Sequence, residues 1–153
     1  VHTLDYKVSV ETVASGLDLP WGIDFLDSGK ALITERGGHL RLWQNGTLAP
    51  EPVKGIPAVL AEGQGGLLDV SKGPHYAEDG WIYLSYSHAQ AADGANKPNA
   101  MSRIVRGRLE GNQWTDQEVI FEAPADRYLG TRHHYGSRIV FDRQGHVFFS
   151  IGD

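Results

Sequence analysis

Short apolar stretches alternate with polar, glycine-bearing turns along this chain, and the 3.6-residue recurrence of a long amphipathic helix is missing. Three stretches repeat one hairpin pattern: "GIDFLDSGKALITE" (residues 22–35), "LLDVSKGPHYAEDGWIYLSYS" (67–87) and "SRIVFDRQGHVFFSIGD" (137–153). Their turn glycines, Gly29, Gly80 and Gly145, lie 51 and 65 residues apart. Between these copies come two further strand pairs. "HLRLWQNGTLAPEPV" turns at Asn45-Gly46, the strongest short signal for a two-residue hairpin, and "MSRIVRGRLEGNQWTDQEVIFEA" turns near Gly111-Asn112. Two hairpins per repeat, at roughly 40 to 50 residues, is the spacing of a four-stranded propeller blade. The wider second interval contains "HAQAADGANKPNA" (88–100), polar and punctuated by glycine and proline, which reads as a loop insertion. The pattern predicts an all-β chain holding about two and a half blades of a β-propeller. Strand count alone also admits a small β-sandwich. Because roughly four to eight blades are needed to close a ring, residues 1–153 are expected to be the N-terminal segment of a single, longer propeller domain.

Composition narrows the function classes. The net charge is −5 with no block of like charges, so neither a nucleic-acid footprint nor a polybasic membrane patch is present. No stretch of apolar residues is long enough to span a bilayer as a helix. The chain has no cysteine, which excludes disulfides and thiolate metal sites and is compatible with an exported protein.

The last hairpin carries the candidate chemistry. With Arg143 and Gln144 as its central turn residues, Phe141 faces His146, Val140 faces Val147 and Ile139 faces Phe148. Counted outward, His134 falls opposite Asp153. Directly opposed side chains have Cβ atoms about 4.5–5.5 Å apart, within reach of an imidazole–carboxylate hydrogen bond. A glycine bulge at Gly145 would move the register by one and leave the pair diagonal. A carboxylate so placed fixes the imidazole tautomer and leaves the other ring nitrogen as a base. In an extended backbone His133 and His134 point to opposite faces, and the count prefers His134. A surface histidine paired with a strand-end aspartate satisfies the same pattern.

The other candidates read as structural. His39, His75, His88 and His146 lie in or near turns with no carboxylate partner by register. Arg138 shares the strand face of His134 but equally covers the strand's flank. Trp21, Trp43, Trp81 and Trp114, with Tyr76 and Tyr86, read as packing between blades rather than as platforms for a sugar.

Taken together, "LPWGIDFLDSGKALITERGGHLRLW", "GQGGLLDV", "GWIYLSYS", "RGRLEGNQWTDQEVIFEA" and "HYGSRIVFDRQGHVFFSIGD" resemble the soluble, pyrroloquinoline-quinone (PQQ)-dependent sugar dehydrogenases. This is the glucose/sorbosone dehydrogenase family, and its aldose sugar dehydrogenase branch is the nearer likeness. The resemblance implies a six-bladed propeller that oxidises the anomeric hydroxyl of aldose sugars to lactones, with PQQ as hydride acceptor. It also implies Ca2+, most of whose ligands are expected outside this chain, and a periplasmic or secreted location. By motif, His134 of "HYGSR" matches the general base, Asp153 of "SIGD" the acid that supports it, and Gln64 of "GQGGLL" a glutamine lining the sugar pocket. No residue of this chain is assigned to the cofactor or to a metal, and the electron acceptor is unassigned. His133 stands where the glucose enzymes carry an acidic residue, and Tyr135 where the aldose branch usually has phenylalanine. The rival reading is a non-catalytic β-propeller binding module, a rigid ring that displays loops; such a scaffold has no need of His134, Gln64 and Asp153 together. A hydrolytic propeller of the lactonase kind would need metal-binding carboxylates that the sequence does not display.

Overall fold

The computed structural model describes residues 4–90 and 97–152, so part of the expected insertion lies outside the described residues. Ten strands form three antiparallel sheets. The first holds β1 (Pro20–Asp27), β2 (Lys30–Glu35), β3 (His39–Gln44) and β4 (Thr47–Leu48). The second holds β5 (Leu67–Lys72), β6 (Ile82–Ala89), β7 (Ala100–Glu110) and β8 (Gln113–Glu122), and the third is the hairpin β9 (Ile139–Phe141) and β10 (Val147–Phe149). Within each sheet the strands lie in the order in which they occur in the chain. The first strands neighbour one another from sheet to sheet, β1 beside β5 and β5 beside β9. That is two complete blades and the first hairpin of a third, fanned about a common inner edge.

Turn chemistry sets the strand ends. Asn45 and Gly46 both adopt positive φ (49° and 83°), the primed turn that the right-handed twist of paired strands favours. β5 and β6 are joined instead by one helical turn, Tyr76–Asp79, that Gly80 closes. The third hairpin departs from the simplest count: Val147 pairs with Phe141, Phe148 with Val140 and Phe149 with Ile139, one residue out of the direct register. The cause is Gly145, whose φ of 86° adds a bulge residue to the turn. Asp142 stabilises that turn by accepting the N–H groups of Gln144 and His146, both at 2.9 Å.

Period-two alternation decides which faces are buried. Leu26, Leu32, Leu40, Leu67, Val70, Leu84 and Val105 form the main core between and within the first two sheets. Tyr83 and Ile104 meet Ile139 between the second and third, where Tyr83 packs edge-on to Phe141 at 4.8 Å between ring centroids. Trp114, Tyr76 and Tyr86 belong to the main core, as packing residues. The residues that alternate with these on the outermost strands, Ile23 and Phe25 of β1 and Val140 and Phe148 of β9 and β10, are more than half exposed.

Candidate active site

Two connections between sheets build the site: residues 62–66, leading into β5, and residues 130–138, leading into β9. They are laced together by backbone. The Gln64 N–H donates to the Arg132 carbonyl at 2.8 Å, and the His134 N–H donates to Gln64 Oε1 at 2.9 Å. Because a peptide N–H can only donate, the amide must turn its oxygen toward His134, which leaves its NH2 group as the donor end. Arg132 braces the crossing by donating to Glu62 at 2.9 Å and to the Pro98 carbonyl at 2.8 Å, and it holds the Glu62 carboxyl below the usual carboxylate range. Gln64 and His134, 70 residues apart in sequence, are thus neighbours.

His134 is not on an extended strand. Its φ is 61°, and Gly136 and Ser137 follow at 67° and 111°. The condition for His133 and His134 to point to opposite faces is therefore not met; their ring centroids are 6.2 Å apart, and of the two residues it is His134 that lines the cleft. The returning chain crosses close behind: a side chain at Gly152 would begin 1.5 Å from the His134 carbonyl oxygen. Asp153, the next residue, lies outside the described residues.

Beneath the cleft a polar seam joins the inner edges of all three sheets. Asp69 of β5 is 1% exposed and accepts Arg138 Nη1 and the Ile139 N–H, each at 2.8 Å. Burial pushes its carboxyl above the ordinary aspartate value, opposed by those two donors. Thr34 of β2 donates to the Leu68 carbonyl at 2.5 Å and accepts the Gly22 N–H at 2.8 Å. Arg138 is accordingly a strut between β5 and β9, and its guanidinium also lies 5.2 Å from the centre of the Trp21 ring.

The cleft itself, about 390 Å³, is lined by Trp21, Arg36, Gly63, Gln64, Leu68, His134, Tyr135 and Gly136. Trp21 and Arg36 are the lining side chains that sequence pattern does not single out. Trp21 has the spacing of a packing tryptophan, and Arg36 sits in "ERGG", which looks like turn sequence. Three histidines expected to lack carboxylate partners have them. His39 Nδ1 lies 3.2 Å from Glu35, its register partner across β2 and β3; His146 Nδ1 lies 2.8 Å from Asp142; and His88 Nδ1 lies 4.0 Å from Glu122. Glu35 faces His39 across β2 and β3, Asp142 faces His146 once the register of the third hairpin has moved by one, and Glu122 lies on β8, two strands from His88.

The sequence model of the Glucose / Sorbosone dehydrogenase family matches residues 17–153. Aldose sugar dehydrogenase YliI of Escherichia coli (strain K12) is 41% identical over 149 residues, which cover 95% of this chain and 38% of that protein. The crystal structure of the soluble aldose sugar dehydrogenase from Escherichia coli in the apo-form superposes with a TM-score of 0.82 at 41% identity, over 93% of this chain and 40% of that one. The PQQ-bound form of aldose sugar dehydrogenase from Streptomyces coelicolor gives 0.70 at 27% identity, over 90% and 39% respectively. The chain spans about 40% of the length of these relatives. Its three sheets are part of the β-propeller these proteins share, and the unbroken match from residue 17 to residue 153 makes the chain a member of the glucose/sorbosone dehydrogenase family.

Proposed function

We propose that the protein containing these residues oxidises the anomeric hydroxyl of aldose sugars to the lactone, with PQQ as hydride acceptor, and that this chain supplies the base side of the site. The observation that carries the reading is the meeting of Gln64 with His134 at one open cleft, in a chain whose relatives include a PQQ-bound aldose sugar dehydrogenase. The described residues fit one side of such a group: Trp21 offers an aromatic wall, and Gln64 and His134 offer hydrogen-bonding groups suited to an oxygen-rich planar partner. Bound there, PQQ would supply a two-electron sink for the hydride. Among the described residues no group of three or more His, Asp or Glu side chains is placed to hold a metal ion, and no part of the chemistry below runs through calcium.

The residues of this chain would act as follows. The His134 imidazole takes the proton of the anomeric hydroxyl while hydride leaves the same carbon, so base and acceptor must hold the sugar from opposite sides. The Gln64 NH2 group donates to a neighbouring sugar hydroxyl and fixes which carbon faces the base. Asp153, which follows Gly152 at the crossing behind His134, would set the ring tautomer and stabilise the protonated form. In the full-length protein reconstituted with PQQ and calcium, aldose-dependent dye reduction should be present and should fall at least about 100-fold in His134→Ala. Unchanged activity in that variant would remove the mechanism.

A further inference from the structure

We propose that Arg36 is the residue with which this cleft grips a carboxylate of its ligand. Nine arginines occur in the chain. Among the described residues seven of them lie within 4.0 Å of a carboxylate, as Arg132 does with Glu62 and Arg138 with Asp69. The two that do not are Arg143, at the exposed tip of the third hairpin, and Arg36, half-buried in the cleft wall. Among the described residues Arg36 is thus the half-buried arginine with no carboxylate beside it, and it stands where a ligand would sit.

The position of Arg36 is built rather than incidental. Its N–H donates to the Leu19 carbonyl at 3.0 Å, and its carbonyl accepts the Leu67 N–H at 3.1 Å. Gly66 passes so close that a Cβ there would lie 2.0 Å from the Arg36 carbonyl oxygen. At the other end of the side chain, Nη1 donates to the Gly63 carbonyl. One of five guanidinium N–H groups is thereby used to hold the plane in place, and the remaining fork is suited to a carboxylate, whose two oxygens it can meet together. The next residue after Gly63 is Gln64, bonded in turn to His134. Arg36, Gly63, Gln64 and His134 form one continuous run of contacts, so a ligand held at His134 shares its wall with the guanidinium. A fixed donor of this kind binds with little loss of side-chain freedom.

The carboxylate has two possible owners: a sugar acid bound as substrate, or PQQ itself, which bears carboxylate groups. The second rests on the dehydrogenase reading; the first does not. The test uses the full-length protein, with D-galacturonate, D-galactose and PQQ titrated separately into wild type, Arg36→Gln and Arg36→Lys. Sugars are followed by calorimetry and PQQ by tryptophan fluorescence. Arg36→Gln should weaken D-galacturonate or PQQ by about tenfold or more and leave D-galactose unchanged, and Arg36→Lys should recover part of the loss. Loss confined to D-galacturonate identifies a sugar acid, and loss confined to PQQ identifies the acceptor. If Arg36→Gln fails to fold, wild-type binding of the anionic partner should still weaken with rising salt while D-galactose binding holds. Equal binding of both carboxylate ligands by wild type and a folded Arg36→Gln, or binding of neither by wild type, overturns the proposal. An active wild type with an indifferent Arg36→Gln sinks this inference alone. Arg36-dependent binding of D-galacturonate without dehydrogenase activity sinks the proposed function alone.

Discussion

Asp69 joins sheets that share no hydrogen-bonded strand. It is buried, yet both of its oxygens have donors, and one donor, Arg138, keeps a side chain 61% exposed to water. Deleting the carboxylate leaves the Ile139 N–H without its acceptor, whereas Arg138 regains solvent. Asp69→Ala should therefore cost about 2–3 kcal/mol, read from the urea midpoint. His88 gives a prediction in pH. Burial first, and then the nearby Arg103 charge, hold its imidazole below the ordinary value of 6.5. Tyr128 is pushed up to about 12, chiefly by burial, so it keeps its proton, donates to Glu122 at 3.1 Å and accepts from His88 Nδ1 at 2.8 Å. The unfolded chain binds a proton at His88 more readily than the fold does. Its share of stability is present above pH 6.5 and is lost as the pH falls through the lowered value. Unfolding midpoints of wild type and His88→Gln should converge on acidification, and a constant gap from pH 7.5 to 5 would contradict this.

At the scale of elements, two glycines, one behind the cleft wall and one in the third hairpin, should respond differently to alanine. A Cβ added at Gly145 would meet nothing within 4 Å, so Gly145→Ala costs only the strain of its positive φ, about 1–2 kcal/mol. Gly66 combines a φ of 145° with the Arg36 carbonyl in the way. Gly66→Ala should cost more than about 3 kcal/mol and displace the wall that carries Arg36 and Gln64, seen as lost ligand binding before global unfolding. The hairpins, the Asn45-Gly46 turn and the glycine bulge were legible in the sequence because each is set by residues within a few positions of one another. The direct register failed where Gly145 adds its extra residue, and the extended geometry expected around His134 failed because its backbone turns left-handed. Asp69 with Arg138, and Arg36 with Gly63, were illegible for another reason. Their partners lie 69 and 27 residues away, one on another sheet and one in the connection leading into it, and local pattern does not encode that adjacency.

The molecule as a whole is an arc with an apolar side at each end. Ile23 and Phe25 point away from the second sheet on one side, and Val140 and Phe148 do so on the other, each between 51% and 55% exposed. Opposed apolar faces of this kind favour association. Sedimentation of these 153 residues alone should show concentration-dependent oligomers, dispersed by Phe25→Lys combined with Phe148→Lys. With one wall of the cleft present, the isolated chain should reduce no dye with PQQ and sugar; turnover by it would show that the base side suffices. The sheet order has a consequence for biogenesis. Since each strand pairs with the one made just before it, every sheet can close soon after leaving the ribosome, with little search among distant partners. The cleft, by contrast, waits for residues 130–138, which bring His134 to Gln64. A nascent chain stalled before that point would hold two finished sheets and no place for a ligand, so a bound small molecule could rescue only late folding defects.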